Sequence, residues 1–391
     1  MADLFNDLLN SLDSLTESQI NELLSRLEVK KSGQNKETGK NKQGIYMEDG
    51  QAVSCPACGS ISVKKHGKTG GKQRYYCKDC NTTFNHKTGT MFYRSRLTSS
   101  QWKGIIEGLV LNLPLSKIAD RTGLSINSVH KNKKKLCDML LERFGEQDKQ
   151  LSGIVECDEY VTRLSFKGKK DPNFFINMLD RMPKHHRSYA EKLEYLEKYG
   201  LLEQLEKNPD RLDRLLRAKG TSPGRIHEQA CILTCKDRSD NLYINPVCIG
   251  KMENEHVFMH LTPKINPESI MVTDSYAPYL NFAEISNIHI EQILSKLHTK
   301  GAFNLGHINA LHSRLSAFWP KGAGREPATK YIDLYLMIFW WLEKNKALSI
   351  EDKTETIYEY LMEQYYSTRT GDSLTRRKLP LDTKHLIPDE V

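Results

Sequence analysis

Two closely spaced pairs of cysteines constrain the N-terminal part of this chain more than any other feature. Each pair has the spacing C-x2-C, and 18 residues separate the pairs, which are Cys55–Cys58 and Cys77–Cys80. A C-x2-C turn directs two thiolates at one ion, so two such turns predict a closed tetrahedral site for one structural Zn²⁺. We therefore predict a zinc ribbon over residues 51–95. Ribbons of this kind either bind nucleic acid or only stabilise a fold, and the spacing leaves both roles open.

The residues after the ribbon predict a helix-turn-helix domain over residues 96–150. In "LSKIADRTGLSINSVHKNKKKL" (115–136), Gly123 stands where the turn must lie and Ser125 can cap the second helix. The exposed face of that helix is polar and basic, as expected of a helix that enters a DNA major groove. The predicted DNA-contacting residues are Asn127, Ser128, Lys131, Asn132, Lys133, Lys134 and Lys135. A plain pair of helices with a solvated basic face would show the same pattern.

Basic charge is concentrated in this same part of the chain. The whole sequence carries a net charge of +8, yet residues 51–150 hold 18 of the 57 Lys and Arg residues and only 7 of the 49 Asp and Glu residues. A basic region joined to a nearly neutral remainder indicates a polyanionic partner, and nucleic acid fits that description. We therefore predict double-stranded DNA as the partner.

The N-terminus and the apolar runs indicate where the protein resides. The first residues are acidic and lack the basic start and cleavage site of a signal peptide. The most apolar stretch, residues 332–342, is too short to span a bilayer and is predicted to be a buried helix. We expect a cytoplasmic protein with no membrane partner, whose cysteines stay reduced. Residues 1–50 are predicted to form N-terminal helices and a linker, and residues 346–391 a C-terminal tail.

Residues 151–345 show the order of strands and helices that is typical of an α/β domain with a mixed sheet. Three strand-like segments come first, and further strands then alternate with helices. Between the first and second strands lies a long leucine-rich piece, about 163–228, which predicts an inserted helical hairpin. This insertion could pack on a partner subunit or only cover the sheet.

Two aspartates are placed to meet at one edge of the predicted sheet. Asp158 lies in the first strand, and Asp274 lies at the end of the fourth. Open sheets bind ligands at the carboxyl ends of their strands, and carboxylate oxygens suit divalent cations. Two cations held there would activate an attacking oxygen and stabilise a leaving oxygen in phosphodiester chemistry. Glu159 follows Asp158 directly, so strand alternation predicts that its side chain points to the opposite side and is not a ligand.

The order of these segments resembles one family. The segments "VECDEYVT" (155–162), "MVTDSYAPY" (271–279), "GHINALHSRL" (306–315) and "ATKYIDLYLMIFWW" (328–341) follow the ribbon and the helix-turn-helix. Together they look like the zinc-ribbon branch of the DDE-type insertion-sequence transposases. The resemblance covers about residues 51–345 and implies that residues 151–345 form a ribonuclease-H-like catalytic domain.

The resemblance implies an Asp-Asp-Asn variant of that family's catalytic site. The family's two aspartates match Asp158 and Asp274, and its third residue matches Asn309, 35 positions after Asp274. By this resemblance, Asp158, Asp274 and Asn309 would hold two Mg²⁺ or Mn²⁺ ions. His312, one helical turn after Asn309, would contact the phosphate or a metal-bound water.

Two departures from the family pattern bear on this site. Members commonly carry a lysine after the His-Ser-Arg-Leu segment, where this chain has Ser316. Arg314, Lys321 or Lys330 could supply that positive charge instead. The long insertion at about 163–228 is the other departure.

The resemblance also implies an activity. A transposase of this family would bind the terminal inverted repeats of an insertion sequence, cleave DNA to expose a 3′-hydroxyl, and transfer that strand to target DNA. Because two ends must be joined, we expect a homodimer or a higher homo-oligomer, at the nucleoid of a bacterial cell. Two other interpretations stay open: a domesticated, sequence-specific DNA-binding protein that has lost the chemistry, and a structure-selective nuclease on the same fold.

Overall fold

The computed structural model describes most of the chain after residue 52. The described residues are 53–93, 95–147, 150–169, 171–183, 188–217, 229–294, 299–319, 328–363 and 378–383. The predicted N-terminal helices and linker, residues 1–50, lie outside them, as does most of the tail beyond residue 363. The chain divides into two compact units between Thr88 and Gly89.

The first unit is built around the paired cysteines. Its strands are β1 (Val63–Thr69), β2 (Lys72–Cys77) and β3 (Thr83–Phe84), which form an antiparallel sheet in that order. Among the described residues of this unit, residues 53–88, the apolar core is small and consists of Val53, Cys55, Val63, Cys77 and Phe84. Such a core buries little surface, and small units of this kind usually need a metal or a disulfide in addition.

Three helices open the second unit. They are α1 (Ser99–Val110), α2 (Leu115–Thr122) and α3 (Ile126–Phe144). The hydroxyls of Thr98 and Ser125 cap α1 and α3, and they satisfy N–H groups that a helix start leaves free. Gly123 ends α2 in the left-handed conformation, at a φ of +66°. The helices and the turn predicted for residues 115–136 are therefore present.

A five-stranded mixed sheet forms the centre of the second unit. Its strands are β4 (Ile154–Arg163), β5 (Gln229–Asp237), β6 (Leu242–Ile249), β7 (Ile270–Thr273) and β8 (His289–Gln292). They lie in the order β6-β5-β4-β7-β8. The pairs β6–β5 and β5–β4 are antiparallel, whereas β4–β7 and β7–β8 are parallel. The predicted α/β class with a mixed sheet is confirmed, and β4 is its central strand.

The segment between β4 and β5 forms a helical layer with its own core. A π-helical turn (Phe174–Met178) precedes α4 (Tyr189–Lys198), α5 (Leu202–Glu206) and α6 (Pro209–Arg217). These elements enclose apolar side chains that include Ile176, Leu196 and Leu205. The buried Lys192 ammonium donates to the Leu216 carbonyl at 2.7 Å, which satisfies the end of α6. The described part of the insertion thus contains three short helices, where the sequence predicted a hairpin.

Helices cover both faces of the sheet. The remaining elements are α7 (Asn254–Leu261), α8 (Ala277–Ile285), β9 (Thr299–Lys300), β10 (Phe303–Asn304), α9 (Gly306–Phe318), α10 (Ile332–Lys344) and α11 (Ile350–Glu363). One core joins α7 and α8 to the sheet face that carries Val155 and Cys157. The other core joins α9, α10 and α11 to the opposite face, and residues of α1 and α3 belong to it as well. The helices predicted as a separate domain at 96–150 therefore share one compact unit with the sheet.

Among the residues that the structure describes, no helix combines the length and the apolar character that a membrane crossing requires. The apolar stretch at 332–342 is instead a buried helix, as predicted, because it forms most of α10 and packs in the core.

Candidate carboxylate site

Asp158 and Asp274 meet at the carboxyl end of the two central parallel strands. Glu156 of β4 pairs with Val272 of β7. Two residues further on, Asp158 therefore lies level with Asp274, which directly follows β7. One carboxylate oxygen from each of Asp158, Glu159 and Asp274 lies within 4.8 Å of the other two. The structure thus brings together the two aspartates that the sequence predicted to converge.

Glu159 is the unexpected member of this group. Its side chain meets Tyr279 of α8, on the face opposite Asp158, as strand alternation predicted, yet one of its carboxylate oxygens lies within 4.8 Å of both aspartates. The pairing of β7 with β4 extends only to Glu156, and β7 itself ends at Thr273. Beyond that point β4 has no paired strand on this side among the described residues, so a long side chain can reach around the strand edge. The site therefore contains three carboxylates.

Two of these carboxylates, those of Asp158 and Glu159, have pKa values above their usual range. Burial raises the pKa of Asp158 to about 6, and the nearby charge of Asp274 adds to the rise. Burial also raises the pKa of Glu159 to about 7; the Tyr279 hydroxyl opposes this rise, and the charges of Asp274 and Asp158 add to it. A divalent cation would remove the repulsion, and a ligand set made only of oxygens suits Mg²⁺ or Mn²⁺. The residues present therefore fit such an ion.

A buried glutamate, which the sequence analysis did not single out, holds α9 against this site. Glu156 is fully buried on β4, and its Oε2 accepts the backbone N–H groups of His307 and Ile308 at 2.9 and 3.0 Å. Its Oε1 lies 2.9 Å from His307 Nδ1 and 3.0 Å from Arg238 Nη2. A carboxylate here satisfies free N–H groups and is attracted by the positive end of the helix dipole. The available signal was an acidic residue in an apolar strand, two positions before Asp158 and so on the same face.

His312 of α9 reaches the carboxylates. Its Nε2 lies 2.7 Å from the Thr234 hydroxyl, which donates its proton to the Asp158 carbonyl at 2.8 Å. Because a hydroxyl has one proton to donate, Nε2 must be the donor in the first contact, and Nδ1 is left as an acceptor. Nδ1 lies 3.8 Å from Asp158 Oδ2, and burial lowers the pKa of His312 to about 4. A neutral ring therefore offers a lone pair toward the site.

Asn309 lies one turn before His312 on α9, and its side chain is exposed.

Ser316 stands where the resembled family commonly has a lysine. Its hydroxyl lies 2.9 Å from the Tyr160 hydroxyl, so it is anchored to β4. Arg314 is paired with Glu343, with Nη2 2.7 Å from the carboxylate Oε2, and its charge is therefore already balanced. Lys321, a second candidate for the missing charge, lies outside the described residues.

The predicted DNA-contacting face of α3 is only partly accessible to solvent. Asn127 and Lys131 are exposed, and the half-buried residues are Ser128, Asn132, Lys134 and Lys135. Lys133, in contrast, is 7% exposed, and its ammonium lies 5.6 Å from the centre of the Tyr335 ring on α10. Lys134 lies 4.0 Å from the centre of the Tyr331 ring in a similar contact. The prediction for Lys133 is therefore corrected, because packing of α3 on α10 removes its side chain from the surface.

The four predicted zinc ligands lie together in the first unit. One Sγ atom from each of Cys55, Cys58, Cys77 and Cys80 lies within 4.8 Å of the other three. The Sγ–Sγ distances Cys55–Cys80 and Cys58–Cys77 are both 3.6 Å. A tetrahedron with Zn–S bonds of about 2.3 Å places its sulfurs about 3.8 Å apart. The cluster is therefore compatible with the predicted zinc site.

Comparison with known proteins connects the chain with transposable elements. Over 119 residues, which are 30% of this chain, it is 30% identical to a Halobacterium salinarum protein described as an uncharacterized protein in transposable element ISH50. The match spans 39% of that protein's length. No protein-family model matches the chain, and no solved structure matches it. The chain thus shares a segment with a protein of a transposable element and covers less than half of that protein's length.

Proposed function

We propose that this protein is a DDE-type transposase of the Asp-Asp-Asn kind, with a ribonuclease-H-like catalytic domain. The observation that carries the proposal is the convergence of Asp158 and Asp274 at the ends of two parallel strands. The helix α9, which bears Asn309 and His312, lies against the same site. The similarity to a transposable-element protein supports the same class.

In this proposal some residues of the site bind metal and others position the reacting groups. When bound, two Mg²⁺ or Mn²⁺ ions supply an activated oxygen nucleophile and stabilise the leaving oxygen. Asp158 and Asp274 hold them through charged oxygens, and Asn309 adds a neutral amide oxygen. His312, with Nδ1 as an acceptor, takes a hydrogen bond from the attacking water or hydroxyl and orients it. The rest of the rate enhancement comes from holding DNA in line with these groups.

We assign DNA recognition to the zinc ribbon and to the exposed face of α3. In this assignment Asn127 contacts base edges, while Lys131 and Lys135 neutralise phosphates. The DNA sites are the terminal inverted repeats of an insertion sequence. A homodimer or higher homo-oligomer then holds both ends for strand transfer.

A cleavage assay tests the proposal. The full-length, zinc-loaded protein is incubated with Mg²⁺ or Mn²⁺ and a duplex that carries the inverted repeat found beside its gene. We expect a nick that leaves a 3′-hydroxyl at the end of the repeat. Asp158→Asn and Asp274→Asn should abolish the nick, whereas Asp213→Asn, a change of an exposed acid on α6, should leave it unchanged. Equal cleavage by all four proteins would refute the assignment, and cleavage of branched DNA alone would favour a structure-selective nuclease.

One observation favours a second function, a DNA-binding protein that has lost the chemistry. Ser316 is neutral and its hydroxyl contacts that of Tyr160, while the charge of Arg314 is paired with Glu343. Neither residue therefore supplies an unpaired positive charge to the site. For this alternative, specific binding to the inverted repeat would persist, and no strand transfer would occur with either metal.

A further inference from the structure

Two buried polar atoms without partners lie beside the carboxylate site. Among the described residues, Glu159 Oε1 and the Tyr279 hydroxyl are the buried side-chain polar atoms that have no hydrogen-bond partner. Tyr279 is completely buried on α8, and its hydroxyl is near enough to the Glu159 carboxylate to affect its pKa. A buried oxygen that lacks a donor costs free energy, so each such atom needs an explanation. The Tyr279 hydroxyl, which lowers the pKa of Glu159, is the donor beside one carboxylate oxygen, and a bound cation would supply the partner of the other.

The charge of the site also favours a cation held by Glu159. Asn309, at the third family position, is a neutral ligand, which leaves the two aspartates to balance the charge of any bound cations. Glu159 adds a third negative charge within 4.8 Å of both aspartates. We propose that Glu159 is the third carboxylate ligand of the divalent-metal site. The inference rests on the proposed function, since it specifies how the same site binds its metal.

The distances are close to those that an ion requires. Oxygens on opposite sides of a six-coordinate Mg²⁺ are about 4.2 Å apart, because each bond is about 2.1 Å long. The three carboxylate oxygens lie within 4.8 Å of one another without an ion. Oxygens on adjacent corners of the same octahedron are about 3.0 Å apart, so side-chain rotations that bring the three oxygens closer together would complete the coordination. The Tyr279 hydroxyl, on the α8 side, remains available to hold the second oxygen of Glu159 in place.

Metal binding can be measured without DNA or catalysis. The full-length, zinc-loaded protein is titrated with Mn²⁺, and the free ion is followed by electron paramagnetic resonance. We expect Glu159→Gln to weaken Mn²⁺ affinity at least about tenfold, because one ligand charge is lost. Asp274→Asn should weaken it as well. Glu284→Gln, which changes an exposed acid on α8, serves as the matched control and should bind like the parent protein.

Thermal melting before and after Mn²⁺ addition separates a ligand from a structural residue. A carboxylate placed beside two others destabilises the metal-free protein. Glu159→Gln should therefore melt at no lower temperature than the parent, and it should lose most of the increase in melting temperature that Mn²⁺ causes. Tyr279→Phe keeps the ligand charge and loses the hydroxyl that supports it, so it should still show a Mn²⁺-induced rise in melting temperature, with Mn²⁺ affinity lowered about tenfold, the lower end for a contact behind a metal ligand. A lower melting temperature for metal-free Glu159→Gln, or Mn²⁺ affinity equal to the parent's, would overturn the inference.

These outcomes are distinguishable from failure of the proposed function. If the parent binds Mn²⁺ through Glu159 and cuts no end-containing DNA, the metal ligand stands and the transposase assignment falls. If the parent cuts DNA and Glu159→Gln binds Mn²⁺ normally, only the role of Glu159 falls.

Discussion

The Glu156 carboxylate of β4 accepts the backbone N–H of His307 at 2.9 Å, so the central strand is fastened directly to the start of α9. Asp158 lies two residues along that strand, and His312 lies five residues along that helix. The contact therefore sets the distance between a predicted metal ligand and a predicted catalytic histidine. It is a positioning contact, since Glu156 itself has no described contact with the carboxylates of Asp158, Glu159 and Asp274.

Replacing Glu156 tests this positioning role. Glu156→Gln removes the charge that faces Arg238 and the helix N-terminus, and weakening hydrogen bonds to a buried charge costs about 1.5–3 kcal/mol. We expect a lower free energy of unfolding and a lower kcat for DNA cleavage, with KM for the DNA nearly unchanged. Denaturant titration and steady-state kinetics measure both. The control is Glu343→Gln on α10, which loses an ion pair to Arg314 of α9 and should affect kcat little. Equal loss of kcat in both variants would contradict a specific role for Glu156.

Two neighbouring lysines of α3 should behave differently toward DNA. Lys131 is exposed, whereas Lys133 is buried against Tyr335. Lys131→Ala should weaken DNA binding and reduce the slope of log affinity against log salt by about 0.9, the value for one lost phosphate contact. Lys133→Met, which keeps the length of the side chain, should leave that slope unchanged. Fluorescence anisotropy at several salt concentrations decides the matter, and an equal change in both variants would restore the original prediction for Lys133.

The cysteine cluster predicts one Zn²⁺ per chain. Cys77→Ser should reduce the zinc content measured by elemental analysis from about one ion per chain to near zero, since a structural site needs all four ligands. Hydrogen exchange should then accelerate across residues 53–88, whose own core is small, and stay slow in the sheet. Cys137→Ser changes a buried cysteine outside the cluster and should retain the zinc. Full zinc content in Cys77→Ser would rule the site out.

The raised pKa of Asp158 predicts how stability depends on pH in the absence of divalent metal. Its pKa is about 6, against an ordinary value of 3.8. The folded protein therefore binds this proton more tightly than the unfolded chain does, so this group's contribution to stability falls as the pH rises from about 4 to 6. A shift of about 2 units corresponds to about 3 kcal/mol. Asp158→Asn should accordingly be more stable than the parent at pH 8 and equally stable near pH 3. A difference that does not change with pH would contradict this account.

Sequence patterns that act over a few residues predicted the local structure well. The spacing of Cys55 and Cys58 is a property of one turn, and the caps at Thr98 and Ser125 are properties of single helix ends. The order of strands was enough to predict that Asp158 and Asp274 would converge, because parallel strands end at the same edge of a sheet. The roles of these residues in metal binding and catalysis remain predictions.

Contacts between distant elements depended on the tertiary structure. Strand alternation placed the Glu159 side chain on the face away from Asp158, and only the structure shows that its carboxylate still lies within 4.8 Å of both aspartates, since β7 ends at Thr273 and leaves this edge of β4 unpaired among the described residues. Lys133 belongs to a basic run in sequence, but only the packing of α3 on α10 shows that it is buried. The sequence by itself therefore determined the helix ends, the cysteine turns and the class of fold, whose causes lie within a few residues or in strand order. The tertiary structure decided which charges are buried and which carboxylates meet, because burial depends on neighbours far away in the chain.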